Sequence, residues 1–384
     1  MSARDKDGAA MTFQLLTPGR ILFGRGALAE ALPHLRALGD RPLLIHSPSA
    51  AEAATLAADL RAAGAAVETR TTRGEPDLPA LTELLAAARA LRPDAVIAMG
   101  GGAALDMGKA LAALIPGSGD PLRHLEVVGE GRPLDAAPLP FAAIPTTSGT
   151  GSEATKNAVI GVPEAARKVS LRDDRMIARL AVVDPALTEA VPAPVQLASG
   201  LDAVVQVIEP YISAKANPLT DALCADAIPR GLTAIRRVME APDARAFDDM
   251  ALVSLTGGIA LANAGLGAVH GLAGVLGGRI GAAHGALCGR LLVPVLRANF
   301  AAMDGPRPER VLGWIARAFD ADRAGALDAL EAWIDAQGLP RLAEMGLAAG
   351  DHGAVAEEAG ASSSMKGNPV ALSRATLEEV LGAA

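Results

Sequence analysis

The sequence predicts an α/β half followed by an all-helical half. From Arg20 to about Val183, short apolar runs alternate with alanine-rich stretches of helical periodicity, which is the βαβα order of a parallel sheet with crossover helices. Several strand runs are continuously apolar rather than alternating, as expected when helices cover both faces of a sheet. After the VVDP run that ends at Pro185 the strand signals stop. We therefore predict two domains, residues 1–188 and residues 189–384.

The predicted elements of the first half follow in order. The strand runs are RILFG, PLLIHS, AVETRT and DAVIAMG, which begin at residues 20, 42, 66 and 94. Helical runs begin between them at residues 26, 50 and 78, and they are rich in alanine and leucine, which favour helix. In the second half, helices are predicted around Gln196–Arg230, around Gly258–Gly274 and in the C-terminal run LSRATLEEVLGA.

Composition and charge exclude several classes of protein. The 384 residues are 51% hydrophobic and 20% charged, so the chain has enough apolar surface to fold as a globular protein. A net charge of −8 and a shortage of aromatic side chains argue against a nucleic-acid partner. Cys224 and Cys288 form no CxxC pair, and no apolar run is long enough for a membrane span. We expect a cytoplasmic protein with no membrane partner.

One loop has the composition of a phosphate-binding site. Gly100, Gly101 and Gly102 lie directly after a predicted strand and before a helix, where bare backbone N–H groups can approach an anion. The alternative, a tight structural turn, needs only one or two glycines. A P-loop is excluded because five residues, not four, separate Gly102 from Gly108, and because Ala110 stands where Ser or Thr is required.

Two further segments contain glycines at the end of a predicted strand. Gly24–Ala29 fits G-x-G-x-x-A, but no acidic residue follows about 20 positions later, so a turn is favoured over a pyrophosphate site. Within Ile144–Thr155, the six positions from Thr146 to Gly151 combine four hydroxyl side chains with two glycines, a density of polar groups that suits the oxygens of a polar ligand.

Four potential metal ligands lie in the helical half. Asp202 and Gln206 are one helical turn apart and so share a face. His270 and His284 lie within fifteen residues of each other in a chain that has only 6 histidines. A lone histidine in such an apolar segment is more often a hydrogen-bonded core residue, but the pair together with Asp202 favours a metal site.

Together these motifs resemble the iron-containing (group III) alcohol dehydrogenases, which include maleylacetate reductases. The motifs are GGGxxxDxGK from Gly100, PTTSGTGSEAT, the VVDP strand end, SGLDAxxxxIEPY and the spaced VHG and HG pairs. The resemblance runs from about Phe23 to Pro369. It implies an N-terminal Rossmann-like dinucleotide-binding domain, a C-terminal helical domain, a divalent metal in the cleft between them and assembly as a homodimer.

The resemblance also implies roles for individual residues. Residues that would bind the dinucleotide are Gly100, Gly101 and Gly102 at the pyrophosphate with Asp106 near it, Thr146, Thr147 and Thr150 along the cofactor, and Asn157 and Lys168 around the ribose and nicotinamide. The metal-ligand positions are Asp202, Gln206, His270 and His284.

Three positions depart from the family pattern. Gln206 stands where the family usually has a histidine ligand, and Gly274 stands where many members have a second histidine near the substrate, which leaves the proton relay unassigned. Ser47 replaces an aspartate that selects NAD by repelling a 2′-phosphate, so the cofactor is either NAD or NADP. Glu209 is expected to face solvent or a structural partner rather than the metal. Cys288, at i+4 from His284, could approach the site, but a role as a buried packing residue is favoured.

The predicted function is NAD(P)-linked oxidation of a small alcohol, or reduction of an aldehyde or ketone. Hydride would pass between the substrate carbon and the nicotinamide while the metal holds the substrate oxygen. Fe²⁺ is the first candidate for the metal and Zn²⁺ the second. Two alternatives stay open: a maleylacetate reductase, which would need cations such as Arg279 or Arg290 in the cleft, and a metal-free nucleotide-binding protein without catalysis.

Overall fold

Eight strands form a six-stranded sheet and a separate hairpin in a computed structural model that describes residues 12–384. The strands are β1 (Ile21–Phe23), β2 (Pro42–His46), β3 (Glu68–Thr71), β4 (Ala95–Gly100), β5 (Phe141–Pro145), β6 (Asn157–Val162), β7 (Arg167–Arg172) and β8 (Leu180–Val183). The six-stranded sheet has the order β1-β8-β5-β4-β2-β3, and all of its neighbouring strands are parallel.

Five helices belong to the first half and nine to the second among the described residues. They are α1 (Ala27–Glu30), α2 (Leu32–Arg36), α3 (Ala53–Ala62), α4 (Leu78–Leu91), α5 (Gly102–Leu114), α6 (Ala193–Ile212), α7 (Pro218–Glu240), α8 (Ala244–Ala264), α9 (Ala268–Ile280), α10 (His284–Ala302), α11 (Arg307–Ala318), α12 (Ala326–Ala336), α13 (His352–Gly360) and α14 (Arg374–Ala383). The predicted fold class, a parallel α/β half followed by a helical half, is confirmed.

The apolar strands are covered on both faces, as their composition predicted. Leu43 and Ile45 of β2 belong to one buried cluster, whereas Leu44 between them belongs to another on the opposite face. Helix α5 packs closely on β4, because a Cβ added to Gly108 would lie 2.5 Å from the Cβ of Ala98. A side chain larger than hydrogen at Gly108 would push this helix away from the sheet.

The strand order creates a crevice at one edge of the sheet. From β2 the chain first adds β3 on one side and then returns to place β4 on the other side. The connections that leave the carboxyl ends of β2 and β4 therefore diverge, which is where ligands bind in open parallel sheets. Ser47 follows β2 and Gly100 ends β4, so both lie at this switch point.

Two local features differ from the sequence prediction. The helical run from residue 26 is two short helices, α1 and α2, with Pro33 in the first turn of the second. Strands β6 and β7 form an antiparallel hairpin that the βαβα pattern did not separate from the parallel sheet. The hairpin packs against α9, since a Cβ added to Gly278 would lie 2.7 Å from the carbonyl oxygen of Ala166.

The helical half is built around α6, which is buried along most of its length and packs against α7, α8 and α10. The last strand of the first half ends at Val183 and α6 begins at Ala193, and the predicted boundary at residue 188 lies between them. No single helix in residues 12–384 is long and apolar enough to cross a membrane. Helices α8 and α9 taken together have the length and composition of a membrane span, but the pair is bent by 100°.

A buried cluster of charged groups lies beneath the loop that follows β5. The ammonium group of Lys109 donates to oxygens of Ser152, Thr155 and Asn157 at 2.7 to 3.0 Å, and its side chain is 1% exposed. Burial lowers the pKa of Lys109 to about 8, against the opposing charges of Asp106 and Glu153. Burial likewise raises the pKa of the Glu153 carboxyl to about 7.

We expect Glu153→Gln to flatten part of the pH dependence of stability. Because burial raises the folded-state pKa of Glu153 to about 7, the folded protein holds a proton that the unfolded chain loses above its ordinary pKa. This carboxyl therefore contributes fully to the free energy of unfolding below its ordinary pKa of 4.5, and the contribution is lost as the pH rises to about 7. The free energy of unfolding falls by about 3 kcal/mol over this range.

Urea denaturation of the wild type and of Glu153→Gln in mild acid and in mild base measures this effect. The variant should gain stability relative to wild type at the higher pH. Glu164→Gln, at an exposed position of the same segment, should behave like wild type. An identical pH dependence in wild type and Glu153→Gln would show that the carboxyl is not desolvated.

Candidate active site and metal centre

The glycine loop after β4 lies at the switch point of the sheet. Gly101 is the N-cap of α5, and the helix begins at Gly102 with its free N–H groups facing the crevice mouth. Gly100 has φ 153, and a Cβ there would lie 2.7 Å from Ala104 and 2.9 Å from the Ser47 hydroxyl. A Cβ at Gly101 would meet nothing closer than Thr147, at 3.4 Å. The loop therefore leaves the helix N-terminus uncovered at Gly101.

The hydroxyl-rich loop after β5 packs alongside the glycine loop. The Thr146 N–H donates to the carbonyl oxygen of Gly100 at 2.9 Å, and a Cβ added to Gly102 would lie 2.7 Å from Thr150. Ser148 Oγ is buried and has no hydrogen-bond partner among residues 12–384. The two loops form one polar surface, and the Ser148 hydroxyl beneath it has an unused capacity for a hydrogen bond.

Three of the predicted cofactor residues lie beside the hairpin. Asp106 accepts from Ser152 Oγ at 2.6 Å and from the Val159 N–H at 2.9 Å, so protein donors hold both of its carboxylate oxygens. Burial raises its pKa, against the lowering effect of Lys109. Asn157 begins β6, and Lys168 on β7 pairs with Glu75.

Four potential ligands from three helices converge in the helical half. They are Asp202 on α6, His270 on α9, and His284 and Cys288 on α10, and one donor atom of each lies within 4.8 Å of the others. His270 Nε2 lies 3.3 Å from Asp202 Oδ1, and Cys288 Sγ lies 3.5 Å from His284 Nε2. Asp202 Oδ1 is buried without a hydrogen-bond partner in the described part of the chain. A divalent cation would supply the missing partner, so the residues fit a metal.

Glu209 holds His270 in place. Its Oε2 accepts from His270 Nδ1 at 2.7 Å and its Oε1 accepts from the Val269 N–H at 2.7 Å. His270 Nε2 is thereby turned towards Asp202. A metal that displaced the Nε2 proton would complete a carboxylate–histidine–metal relay. Solvent exposure, one of the two expectations for Glu209, is wrong because the side chain is 2% exposed. The other expectation, contact with a structural partner, agrees with its hydrogen bonds to His270 and Val269.

The cluster has an electrostatic preference for positive charge. Burial alone would lower the pKa of both imidazoles, but Cys288 and Asp202 raise that of His284 to about 9. The same two neighbours and Glu209 raise the pKa of His270 well above its ordinary value. Burial would raise the pKa of Asp202, but His270 and His284 hold it below its usual range. The carboxylate of Asp202 therefore favours a cation at this position.

Gln206 lies one turn after Asp202 and connects the two halves. Its side-chain Nε2 donates to the carbonyl oxygen of Gly149 at 3.0 Å, and the residue is 2% exposed. Gly149 belongs to the hydroxyl-rich loop, so this hydrogen bond joins that loop to α6, the helix that carries Asp202. Gly274, one turn after His270, leaves open space, because an added Cβ would meet no heavy atom within 4 Å.

For Cys288, the structure supports the alternative that the sequence analysis did not favour. Cys288 is fully buried, as expected, but its Sγ lies among the potential metal ligands rather than only in apolar packing. The spacing from His284 to Cys288 is i to i+4, so the signal for a shared helix face was present in the sequence.

Comparison with known proteins identifies the family of this chain. The family described as "Iron-containing alcohol dehydrogenase" matches residues 18–185, and "Fe-containing alcohol dehydrogenase family, C-terminal" matches residues 196–384. The chain is 38% identical over 268 residues to long-chain-alcohol dehydrogenase 1 of Geobacillus thermodenitrificans, covering 68% of this chain and 67% of the relative. The chain belongs to the iron-containing alcohol dehydrogenase family.

Other members of the family match over more of the chain. The NAD-dependent methanol dehydrogenase of Bacillus methanolicus is 32% identical over 358 residues, covering 88% of this chain and 90% of that protein. The solved structure of an alcohol dehydrogenase from Oenococcus oeni is 27% identical with a TM-score of 0.86, covering 97% and 99% of the two chains. This iron-containing alcohol dehydrogenase is an oxidoreductase that acts on CH–OH groups, as the sequence predicted.

The two alternative functions are not favoured. A maleylacetate reductase would need cations for its dicarboxylate substrate. Arg279 pairs with Glu358, and Arg290 is buried against Asp335 and the carbonyl oxygen of Pro340, so both guanidinium groups are already paired within the protein. The retained cluster of Asp202, His270, His284 and Cys288 argues against a metal-free binding protein.

Glu209→Gln should loosen the metal site without unfolding the protein. An amide can accept one of the two hydrogen bonds but cannot serve His270 and Val269 equally, so the imidazole loses its fixed orientation. We expect metal affinity to fall about tenfold to a hundredfold. Metal content after graded chelator challenge measures this.

Glu357→Gln is the matched control, because Glu357 is an exposed glutamate on α13. It should retain metal like wild type. Equal retention by Glu209→Gln would mean that the carboxylate does not orient a ligand.

Proposed function

We propose that this protein catalyses NAD(P)-linked oxidation of a small alcohol and the reverse reduction of an aldehyde or ketone, with a divalent metal in the cluster on α6, α9 and α10. The observation that carries the proposal is the Gln206–Gly149 hydrogen bond, which brings the polar loop surface and the metal cluster together. The relative from Bacillus methanolicus, described as NAD-dependent, supports a nicotinamide cofactor.

The cofactor would lie along the two loops at the switch point. Backbone N–H groups of Gly100, Gly101 and Gly102 would bind the pyrophosphate at the N-terminus of α5. Thr146, Thr147 and Thr150 would line the dinucleotide, with Asn157 and Lys168 at its nicotinamide side. Asp106 would hold Ser152 and Val159 in place near the cofactor rather than contact it, because both of its carboxylate oxygens accept hydrogen bonds from these residues.

The reaction would take place beside α9. Asp202, His270 and His284 would hold the metal with Gln206 in the fourth family position, and Glu209 would keep His270 oriented. A divalent cation supplies a Lewis acid for the substrate oxygen, and the nicotinamide ring supplies the hydride acceptor or donor. The open space beside Gly274 would admit the substrate one helical turn from His270. The residue that moves the proton is unassigned.

Assembly and location complete the proposal. Strand β1 is an edge strand of the sheet, and Phe23 on it and Phe13 before it are 40% and 43% exposed, which supports a homodimer covering this edge. Sedimentation analysis would decide whether the protein is a dimer.

Cys224 and Cys288 are both free thiols, which supports a reducing, cytoplasmic location.

Gly101→Val should abolish nicotinamide dinucleotide binding while leaving the fold intact. The added side chain covers the N–H groups that approach the pyrophosphate, whereas its Cβ has room beside Thr147, at 3.4 Å. Wild type should reduce NAD(P)⁺ with a panel of small alcohols, followed by absorbance of the reduced nicotinamide. The variant should show no such activity and no binding heat in calorimetry.

Gly350→Val is the matched control, because a Cβ at Gly350 meets no heavy atom within 4 Å. It should retain both activity and binding. Retained cofactor affinity in a folded Gly101→Val protein would refute the pyrophosphate assignment, and a wild type inactive on every alcohol with both cofactors would refute the proposed function.

Ser47→Asp should shift cofactor choice towards NADH. Ser47 lies at the carboxyl end of β2 against Gly100, where a carboxylate would repel the 2′-phosphate of NADPH. Wild type should bind NADH and NADPH comparably, and the variant should lose about tenfold or more in NADPH affinity. Fluorescence titration with both cofactors measures this. Ser118→Asp, on an exposed loop, controls for added charge; a wild type that rejects NADPH by several orders of magnitude would overturn the Ser47 assignment.

A further inference from the structure

We propose that Cys288 is the fourth protein ligand of the metal, so that this chain binds its cation through a carboxylate, two imidazoles and a thiolate, and that zinc is the metal this set selects. This inference rests on the metal site of the proposed function. It assigns the fourth position to a residue on α10 in place of Gln206 on α6.

Two of the six separations between donor atoms have the values of a tetrahedral site. With metal–nitrogen and metal–oxygen bonds of about 2.0–2.1 Å and a metal–sulfur bond of about 2.3 Å, tetrahedral geometry places two N or O donors about 3.4 Å apart and an S and an N donor about 3.6 Å apart. His270 Nε2 and Asp202 Oδ1 are 3.3 Å apart, and Cys288 Sγ and His284 Nε2 are 3.5 Å apart. All four donors lie within 4.8 Å of one another.

The local structure of α10 directs both of its donors into the cluster. The helix begins at His284, and Cys288 lies one turn later on the same face. Cys288 is fully buried, so its thiol has no access to water as an alternative partner. Asp202 Oδ1, buried and without a hydrogen-bond partner in residues 12–384, independently points to a cation at the centre of the group.

The amide nitrogen of Gln206 is engaged outside the cluster. Gln206 Nε2 donates to the carbonyl oxygen of Gly149 at 3.0 Å, and a Cβ added to Gly257 on α8 would lie 3.0 Å from the Gln206 Cβ. These contacts give Gln206 a structural role between α8 and the loop. A neutral amide oxygen is also a weaker donor to zinc than a thiolate.

The thiolate changes which metal the site prefers. Soft sulfur ligands favour zinc over hard cations such as magnesium or manganese, and zinc takes sulfur, nitrogen and carboxylate-oxygen donors in proteins. Zinc can expand from four to five ligands, which would leave a position for the substrate oxygen of the proposed reaction. Binding releases the thiol proton of Cys288 to solvent as the metal–sulfur bond forms. The alternative for the 3.5 Å contact is an S–H···N hydrogen bond to His284 without any metal–sulfur bond.

X-ray absorption on the zinc-loaded wild-type protein tests this without any substitution. One sulfur scatterer at about 2.3 Å together with nitrogen or oxygen scatterers at about 2.0–2.1 Å is expected. Replacing zinc with cobalt(II) should produce a thiolate-to-metal charge-transfer band in the near ultraviolet. The only other thiol, Cys224 on α7, is equally buried but is not in the cluster.

Three variants separate the possible ligands. Cys288→Ser should lose the charge-transfer band and reduce zinc affinity by more than about a hundredfold, since outer-sphere partners alone are worth tenfold to a hundredfold. Cys224→Ser, the matched control, should keep both the band and the affinity. Gln206→Leu should keep the band, while Asp202→Asn should weaken binding of every metal.

The outcomes distinguish this inference from the function beneath it. A wild-type protein that binds zinc and cobalt with only nitrogen and oxygen scatterers and no charge-transfer band would overturn the role of Cys288 and leave the metal site standing. Loss of bound metal in Gln206→Leu but not in Cys288→Ser would restore the amide as ligand. A wild type that binds no divalent metal at all would refute both the inference and the proposed metal chemistry.

Discussion

One hydrogen bond joins the two halves of this enzyme at its active site: Gln206 Nε2 on the helical side donates to the carbonyl oxygen of Gly149 on the sheet side. Two residues later Gly151, at φ 58, packs so closely on α8 that a Cβ would lie 2.5 Å from the Gly258 nitrogen. The loop is therefore fixed between the glycine loop and the cluster of potential metal ligands. In the proposed reaction, the distance between the nicotinamide and the substrate would depend on this loop.

Buried charged groups in the first half support the same loop. They are Lys109, Glu153 and Asp106. The Lys109 ammonium group donates hydrogen bonds to oxygens of Ser152, Thr155 and Asn157. Buried charges of this kind contribute little net stability when they are paired, but removal of one partner is costly. They restrict the loop to one conformation, because any other would leave a charge buried without a partner.

The cluster of potential metal ligands combines four donors from three helices. Asp202, His270, His284 and Cys288 converge there, and Glu209 fixes the orientation of His270 from α6. Cys288 places a sulfur atom among the nitrogen and oxygen donors of the cluster. Because ligand type affects metal preference more than overall fold does, two members of one family can hold different cations on the same three helices.

The sequence alone determined the order of elements, the loops that face the crevice and three of the clustered ligands, because strand and helix periodicity and i to i+4 spacing are local properties. It did not reveal the β6–β7 hairpin, since short apolar runs do not state which strand they pair with. The contacts that complete the site were decided by tertiary structure: Gln206 with Gly149 is 57 residues apart in the chain, and Glu209 with His270 is 61. Such pairs depend on how whole helices pack, and the position of Cys288 in the cluster follows from that packing.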